Sequence, residues 1–147
     1  MAGDPADEKP AAAISFEHDE NGEDAGVAAR LGADVAAQFG PRDEAPLSIR
    51  ALDGSGALVG GLNGVTHWRW LYVRHLFVTE GGRGAGLGRR LLAEAEAMAR
   101  RRGCVGIYLD TFDAGAAAFY ERCGFARHGV IEDFPPGFAR TYLSKKF

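Results

Sequence analysis

The sequence is poor in the residues that build covalent or metal-held folds. Cysteine occurs twice in 147 residues, at Cys104 and Cys123, too few for a disulfide framework or an all-thiolate zinc centre. A cytosolic chain with reduced thiols and no metal is the expectation. No apolar run approaches the ~18 residues that cross a bilayer. The first ten residues, MAGDPADEKP, have neither the basic start nor the apolar block of a secretory signal. A cytoplasmic location with no membrane partner is therefore expected. Lysine is also scarce, at Lys9, Lys145 and Lys146, so arginine supplies nearly all the positive charge. Glycine is abundant instead, with 21 residues and no collagen period, so it must serve particular loops.

Charge is unevenly spread. Residues 1–24 carry eight acids and one base, so 25–147 are net positive although the chain is −3. Arg83, Arg89, Arg90, Arg100, Arg101 and Arg102 cluster in sequence, suited to planar phosphate recognition. Aromatic residues do not interleave with them, which argues against nucleic acid and for a small phosphorylated ligand.

Pattern along the chain predicts one domain over 14–147 behind a disordered tail, 1–13, rich in Ala, Pro and Asp. Residues 14–18 alternate as a strand would. Val27, Leu31, Val35 and Phe39 form a helix stripe that Gly40-Pro41 ends. Leu47, Ile49 and Ala51 alternate up to a hairpin signal at Asp53-Gly54, and a strand follows over 57–66. The run from Trp68 to Val78 reads as one central strand. Its faces would be Trp68, Trp70, Tyr72, Arg74, Leu76 and Val78 against Arg69, Leu71, Val73, His75 and Phe77. A helix through Leu87, Leu91, Ala95 and Met98, a strand over 105–109, a helix over 114–123 and strands at 125–130 and 141–143 complete an α/β or α+β sandwich.

The chemistry sits in residues 81–88, where five of eight residues are glycine. A strand, a glycine loop and a helix amino terminus together form an anion site, because amides converge on the ligand and the helix dipole favours negative charge. The loop has no Gly-Lys-Ser/Thr, so it is not a Walker loop. Gly84 and Gly86 match the first two positions of a dinucleotide fingerprint, but Arg89 holds the third. Asp110, at the end of the next strand, stands near where that fingerprint places a ribose-binding acid.

Residues 76–92, LFVTEGGRGAGLGRRLL, resemble the acetyl-CoA signature Arg/Gln-x-x-Gly-x-Gly/Ala of the GNAT N-acetyltransferases, through Arg83, Gly86 and Gly88. Residues 111–125, TFDAGAAAFYERCGF, resemble a second segment of that family, with Asp113 where many members carry asparagine. The resemblance implies a GNAT-type fold, with a mixed, mostly antiparallel sheet of six or seven strands flanked by helices. It also implies acetyl-CoA as co-substrate.

In that likeness the amides of Arg83, Gly84, Ala85, Gly86, Leu87, Gly88 and Arg89 bind the diphosphate. Phe77 and Val78 line the pantetheine arm. The Val78 amide holds the developing oxyanion, and Asp113 and Ala116 belong to the same binding surface. Tyr120 corresponds to the tyrosine that protonates the departing thiolate. The implied reaction is direct attack by a primary amine of a small molecule in a ternary complex, in a monomer or homodimer. An acyl-CoA-binding sensor that has lost catalysis is the alternative. The acceptor is left open among polyamine, amino acid, antibiotic and peptide amine.

A general base is harder to read, because the strand before the loop carries no carboxylate. Trp70, Tyr72, Arg74 and Asp133 are the candidates for touching the acceptor. An aromatic wall suits a flat or cationic substrate, although Trp70 and Tyr72 also fit ordinary sheet packing.

Overall fold

Asp24 begins the first helix. Its carboxylate accepts the Val27 N–H at 2.9 Å and caps α1, Ala25–Phe39, while Gly40, at φ 85°, ends it. In this computed structural model the described residues are 12–147, and they fall into two compact units that divide after Pro41. The tail expected over 1–13 lies almost wholly outside the described residues; Ala12 and Ala13 belong to no helix or strand. The strand expected at 14–18 does not form, and Ile14 and Phe16 stay exposed. Two alternating apolar residues do not make a strand without a neighbour to bond, and no described strand pairs with them. The α1 stripe forms as expected, but no residue of that helix is buried.

The second unit, Arg42–Phe147, holds the sheet. Its elements are β1 (Ala45–Leu52), β2 (Leu58–His67), β3 (Trp70–Val78), α2 (Leu87–Arg101), β4 (Gly106–Thr111), α3 (Ala114–Arg122), β5 (Ala126–Glu132) and β6 (Ala139–Lys146). The six strands run in the order β1-β2-β3-β4-β6-β5, and only β3 and β4 are parallel neighbours. The Asp53 turn forms where expected, its carboxylate gathering the N–H groups of Ser55 and Ala57.

Two features of β3 depart from the sequence reading. The strand starts at Trp70, because Trp68 and Arg69 (φ 46° and 65°) make a two-residue hairpin turn between the paired residues His67 and Trp70. Asp43 holds that turn through the Trp68 N–H, and the Arg69 side chain donates to the Gly103 carbonyl. The second departure is a bulge. Asn63 pairs with His75 and Gly64 with Val73, so Arg74 has no partner and the alternation of faces breaks there. Leu76 consequently packs on the same core as Leu71 and Val73, rather than on the face opposite to them.

That core lies beneath α2. Leu92, Ala95 and Ala99 meet Leu47, Leu62, Leu71, Val73, Ile107 and Leu109, and Tyr120 of α3 joins them with Phe125 and Leu143. Leu71 is completely buried. Truncating it, Leu71→Ala, is expected to lower unfolding free energy by about 3 kcal/mol in urea titration, the usual cost of a core cavity.

The sheet opens in the middle. β3 and β4 pair only from Trp70/Gly106 to Tyr72/Tyr108. Beyond that point β3 stays with β2 and β4 with β6, so the carboxyl ends of two parallel neighbours part. Such a gap is where open sheets receive ligands. Among the described residues no helix is long and apolar enough to cross a membrane.

Candidate functional site

A groove of about 620 Å³ lies at the parted strand ends, between the end of β3, the glycine loop, the start of α2 and the face of α3. Its floor is a run of uncommitted amides. Gly82 N–H donates to Thr79 O and Arg83 N–H to Glu80 O, closing a 3₁₀ turn. Backbone bonding resumes with Arg90 N–H to Gly86 O. The amides from Gly84 to Arg89 lie between these bonds, at the amino end of a 15-residue helix. Gly86 stands at the N-cap with φ 73° and offers no side chain to occupy those amides. Gly88 serves a different need: a Cβ there would fall 3.2 Å from the Phe119 ring, so its small size lets α2 approach α3.

The Val78 amide faces the gap. Thr79 N–H donates to Val59 O on β2, and N–H groups alternate in direction along a strand. The Val78 N–H therefore points away from β2, towards the space that β4 has left. Phe77 is half exposed on the groove.

Across the groove, Asp113 caps α3 by accepting the Ala116 N–H at 3.0 Å, and its own amide donates to Thr111 Oγ1. An asparagine would cap equally well, so the difference from the GNAT segment leaves the helix start intact. Tyr120 lines the same groove and is buried. Its phenol is pushed up to about 12, first by burial and then by the neighbouring Cys123, Asp110 and Asp113. The group holds its proton throughout the physiological range.

Folding favours the protonated phenol. That stabilisation is complete below the ordinary value of 10 and is lost as pH rises from there towards about 12. Two pH units correspond to about 3 kcal/mol. Thermal melts from pH 9 to 12 are expected to fall more steeply for the native chain than for Tyr120→Phe; parallel curves would contradict the assigned burial.

Of the residues that the family resemblance indicates, Phe77, Val78, Arg83, Gly84, Gly86, Leu87, Gly88, Arg89, Asp113, Ala116 and Tyr120 line this groove, and Ala85 sits on its loop. The Arg83 amide is already bonded within the 3₁₀ turn. Gly82 of the glycine loop also lines the groove, as do Leu76, Gly115 and Phe119, to which the sequence reading assigned no role there. Phe119 is legible as an inward aromatic of α3, but not as the surface on which Gly88 rests.

The acceptor candidates scatter. Trp70 packs on Gly106, where a Cβ would lie 2.8 Å from the indole Cη2 and from Lys145 O. With His67, Trp68, Tyr108 and Ser144 it lines a separate cavity of about 340 Å³. Arg74 is the exposed bulge residue and lines another cavity beside His75 and Asn63. Asp133 belongs to the β5–β6 turn, at φ 55°, and accepts the Gly137 N–H at 3.5 Å. Tyr72 stacks on Tyr108 at 4.9 Å and donates its hydroxyl to Asp110 Oδ1 at 3.0 Å. Burial, and next that bond, raise its phenol above the usual range. Asp110 in turn pairs with Arg140 at 3.4 Å.

Residues 10–125 match the model of the Acetyltransferase (GNAT) family. The chain is similar to the blasticidin-S acetyltransferase of Streptomyces morookaense, 48% identical over 92 residues that cover 62% of this chain and 68% of that one. It is also similar to the crystal structure of an acetyltransferase from Agrobacterium tumefaciens, with TM-score 0.79 and 38% identity over 91% of this chain and all of the other. A streptothricin acetyltransferase of Bacillus anthracis, solved with acetyl coenzyme A, aligns with TM-score 0.63 and 25% identity over 73% of this chain and 64% of that one.

Proposed function

Because the chain belongs to the GNAT family of acetyltransferases, and is an acyltransferase with acetyl-CoA as co-substrate, we propose that it acetylates a primary amine of a small molecule by direct attack in a ternary complex. The observation that carries this reading is the coincidence of three features at the parted strand ends. The glycine-loop amides lie beside the Val78 N–H, and the protonated Tyr120 lies on the same groove.

In this reading the amides of Gly84 to Arg89 hold the diphosphate, which aims the thioester along β3 into the gap. The Val78 N–H donates to the carbonyl oxygen as negative charge gathers on it. Tyr120 donates its hydroxyl to the sulfur as the thiolate leaves. Holding both substrates at reacting distance supplies much of the rate. In this reading the reaction takes place in the cytoplasm, on the unit Arg42–Phe147 that holds the sheet and the groove.

The similarity to acetyltransferases of blasticidin S and streptothricin supports a cationic antibiotic as the first acceptor to try. Purified protein given acetyl-CoA with blasticidin S, streptothricin, spermidine or lysine is expected to release coenzyme A thiol with at least one, with the acetylated amine seen by mass spectrometry. Calorimetric binding of coenzyme A with no turnover of any amine would instead leave an acyl-CoA-binding module, a reading that the absence of a carboxylate on β3 favours.

A further inference from the structure

We infer that Asp110 is the carboxylate that takes the cationic nitrogen of the acceptor, with Tyr72 and Arg140 fixing its orientation. The inference rests on the acetyltransferase reading above and supplies the acid that β3 lacks.

Its position follows from the sheet. The β3–β4 pairing ends at Tyr72/Tyr108. Asp110 is two residues further along β4, on the same face as Tyr108, where the gap opens. Ile107 and Leu109 point the other way, into the core. The carboxylate also lies within electrostatic reach of the groove, since its charge is among those that raise the Tyr120 phenol.

Its hydrogen bonding leaves room for a ligand. Oδ1 accepts the Tyr72 hydroxyl at 3.0 Å. Oδ2 faces Arg140 Nη1 at 3.4 Å, longer than the 2.7–2.9 Å of a well-made charge-assisted bond. The guanidinium is drawn instead onto the Phe134 ring, 3.9 Å from its centroid. A carboxylate has about four acceptor sites, and two are engaged here. The Asp110 side chain is 18% exposed, enclosed yet reachable. The one acid among the described residues lining the groove is Asp113, and its Oδ1 is committed to the α3 cap. Asp110 stands just beyond the last β3–β4 pair and keeps acceptor capacity there for a cation.

The test compares native protein with Asp110→Asn, using spermidine, lysine, blasticidin S and streptothricin as acceptors and calorimetry with coenzyme A. The acceptor KM is expected to rise about tenfold or more, the loss of one charged hydrogen bond, while the acetyl-CoA KM and coenzyme A affinity hold. Asp110→Glu should recover part of the loss, which a purely structural role would not require. If Asp110→Asn fails to melt cooperatively, Tyr72→Phe provides the same comparison, with a several-fold rise in acceptor KM alone. An unchanged acceptor KM overturns the assignment. So does native protein that binds coenzyme A but turns over none of these cations. Absence of coenzyme A binding in the native protein would overturn the acetyltransferase mechanism itself.

Discussion

Gly86→Asp is expected to abolish measurable coenzyme A binding while the protein still folds. Position 86 has φ 73°, and nothing lies within 4 Å of the place a Cβ would take. Aspartate and asparagine enter that left-handed region more readily than other residues with a Cβ, so the backbone can accept either. What changes is the charge at the mouth of the amide run. A carboxylate about 5 Å from a phosphate, at an effective dielectric of about 20, costs about 3 kcal/mol for each phosphate charge, a loss of about a hundredfold or more in affinity. Gly86→Asn has nearly the same shape and no charge, so its loss should be far smaller. Calorimetry on the three proteins, with melting curves as the control for folding, separates charge from strain. Binding by the Asp variant as tight as that of the native protein would mean the diphosphate lies elsewhere.

Tyr120→Phe is expected to lower kcat by about a hundredfold while the KM for acetyl-CoA and coenzyme A binding stay close to native. The ring packs against Phe119 and Phe125, at 5.5 and 5.7 Å between centroids, and phenylalanine keeps those contacts. With its phenol raised to about 12, Tyr120 is a poor donor of a whole proton to a thiolate whose own value is about 8.5. It is well suited to donating a hydrogen bond that shortens as charge grows on sulfur. The rate with native protein should therefore show no loss from Tyr120 ionisation below pH 10, whereas a phenol of ordinary acidity would begin to lose its proton there. A Tyr120→Phe enzyme with undiminished kcat would remove the hydroxyl from the chemistry.

The parts of the site that lie close together along the chain are legible in the amino-acid sequence. Gly84, Gly86 and the start of α2 form one local unit, and a helix that begins on glycine after a strand leaves its first amides open. Asp113 ahead of an alanine-rich helix is likewise a local capping signal, and its carboxylate bonds to Ala116. The helix ends at Gly40, Gly103 and Gly124 are readable for the same reason, since each adopts a positive φ.

Period-two alternation describes β3 only as far as Val73. The bulge at Arg74 exists because β2 pairs across it out of step, and a lone strand carries no record of its partner's register. The Trp68–Arg69 turn is hidden from sequence pattern because two bulky residues occupy left-handed conformations that usually call for Asn or Gly. Asp43, 25 residues before Trp68, helps hold them there.

The sequence by itself determined the glycine loop and the helix ends at Gly40, Gly103 and Gly124, because each rests on hydrogen bonds and dihedral preferences within a few residues, while the family was indicated by the likeness of residues 76–92 and 111–125 to its two segments. Only the tertiary structure decided where β3 leaves β4, which face each aromatic residue of β3 presents, and that Tyr72, Asp110 and Arg140 meet. Tyr72 and Asp110 are 38 positions apart. Contacts of that kind depend on strand order and on the closing of long loops, which no local pattern encodes.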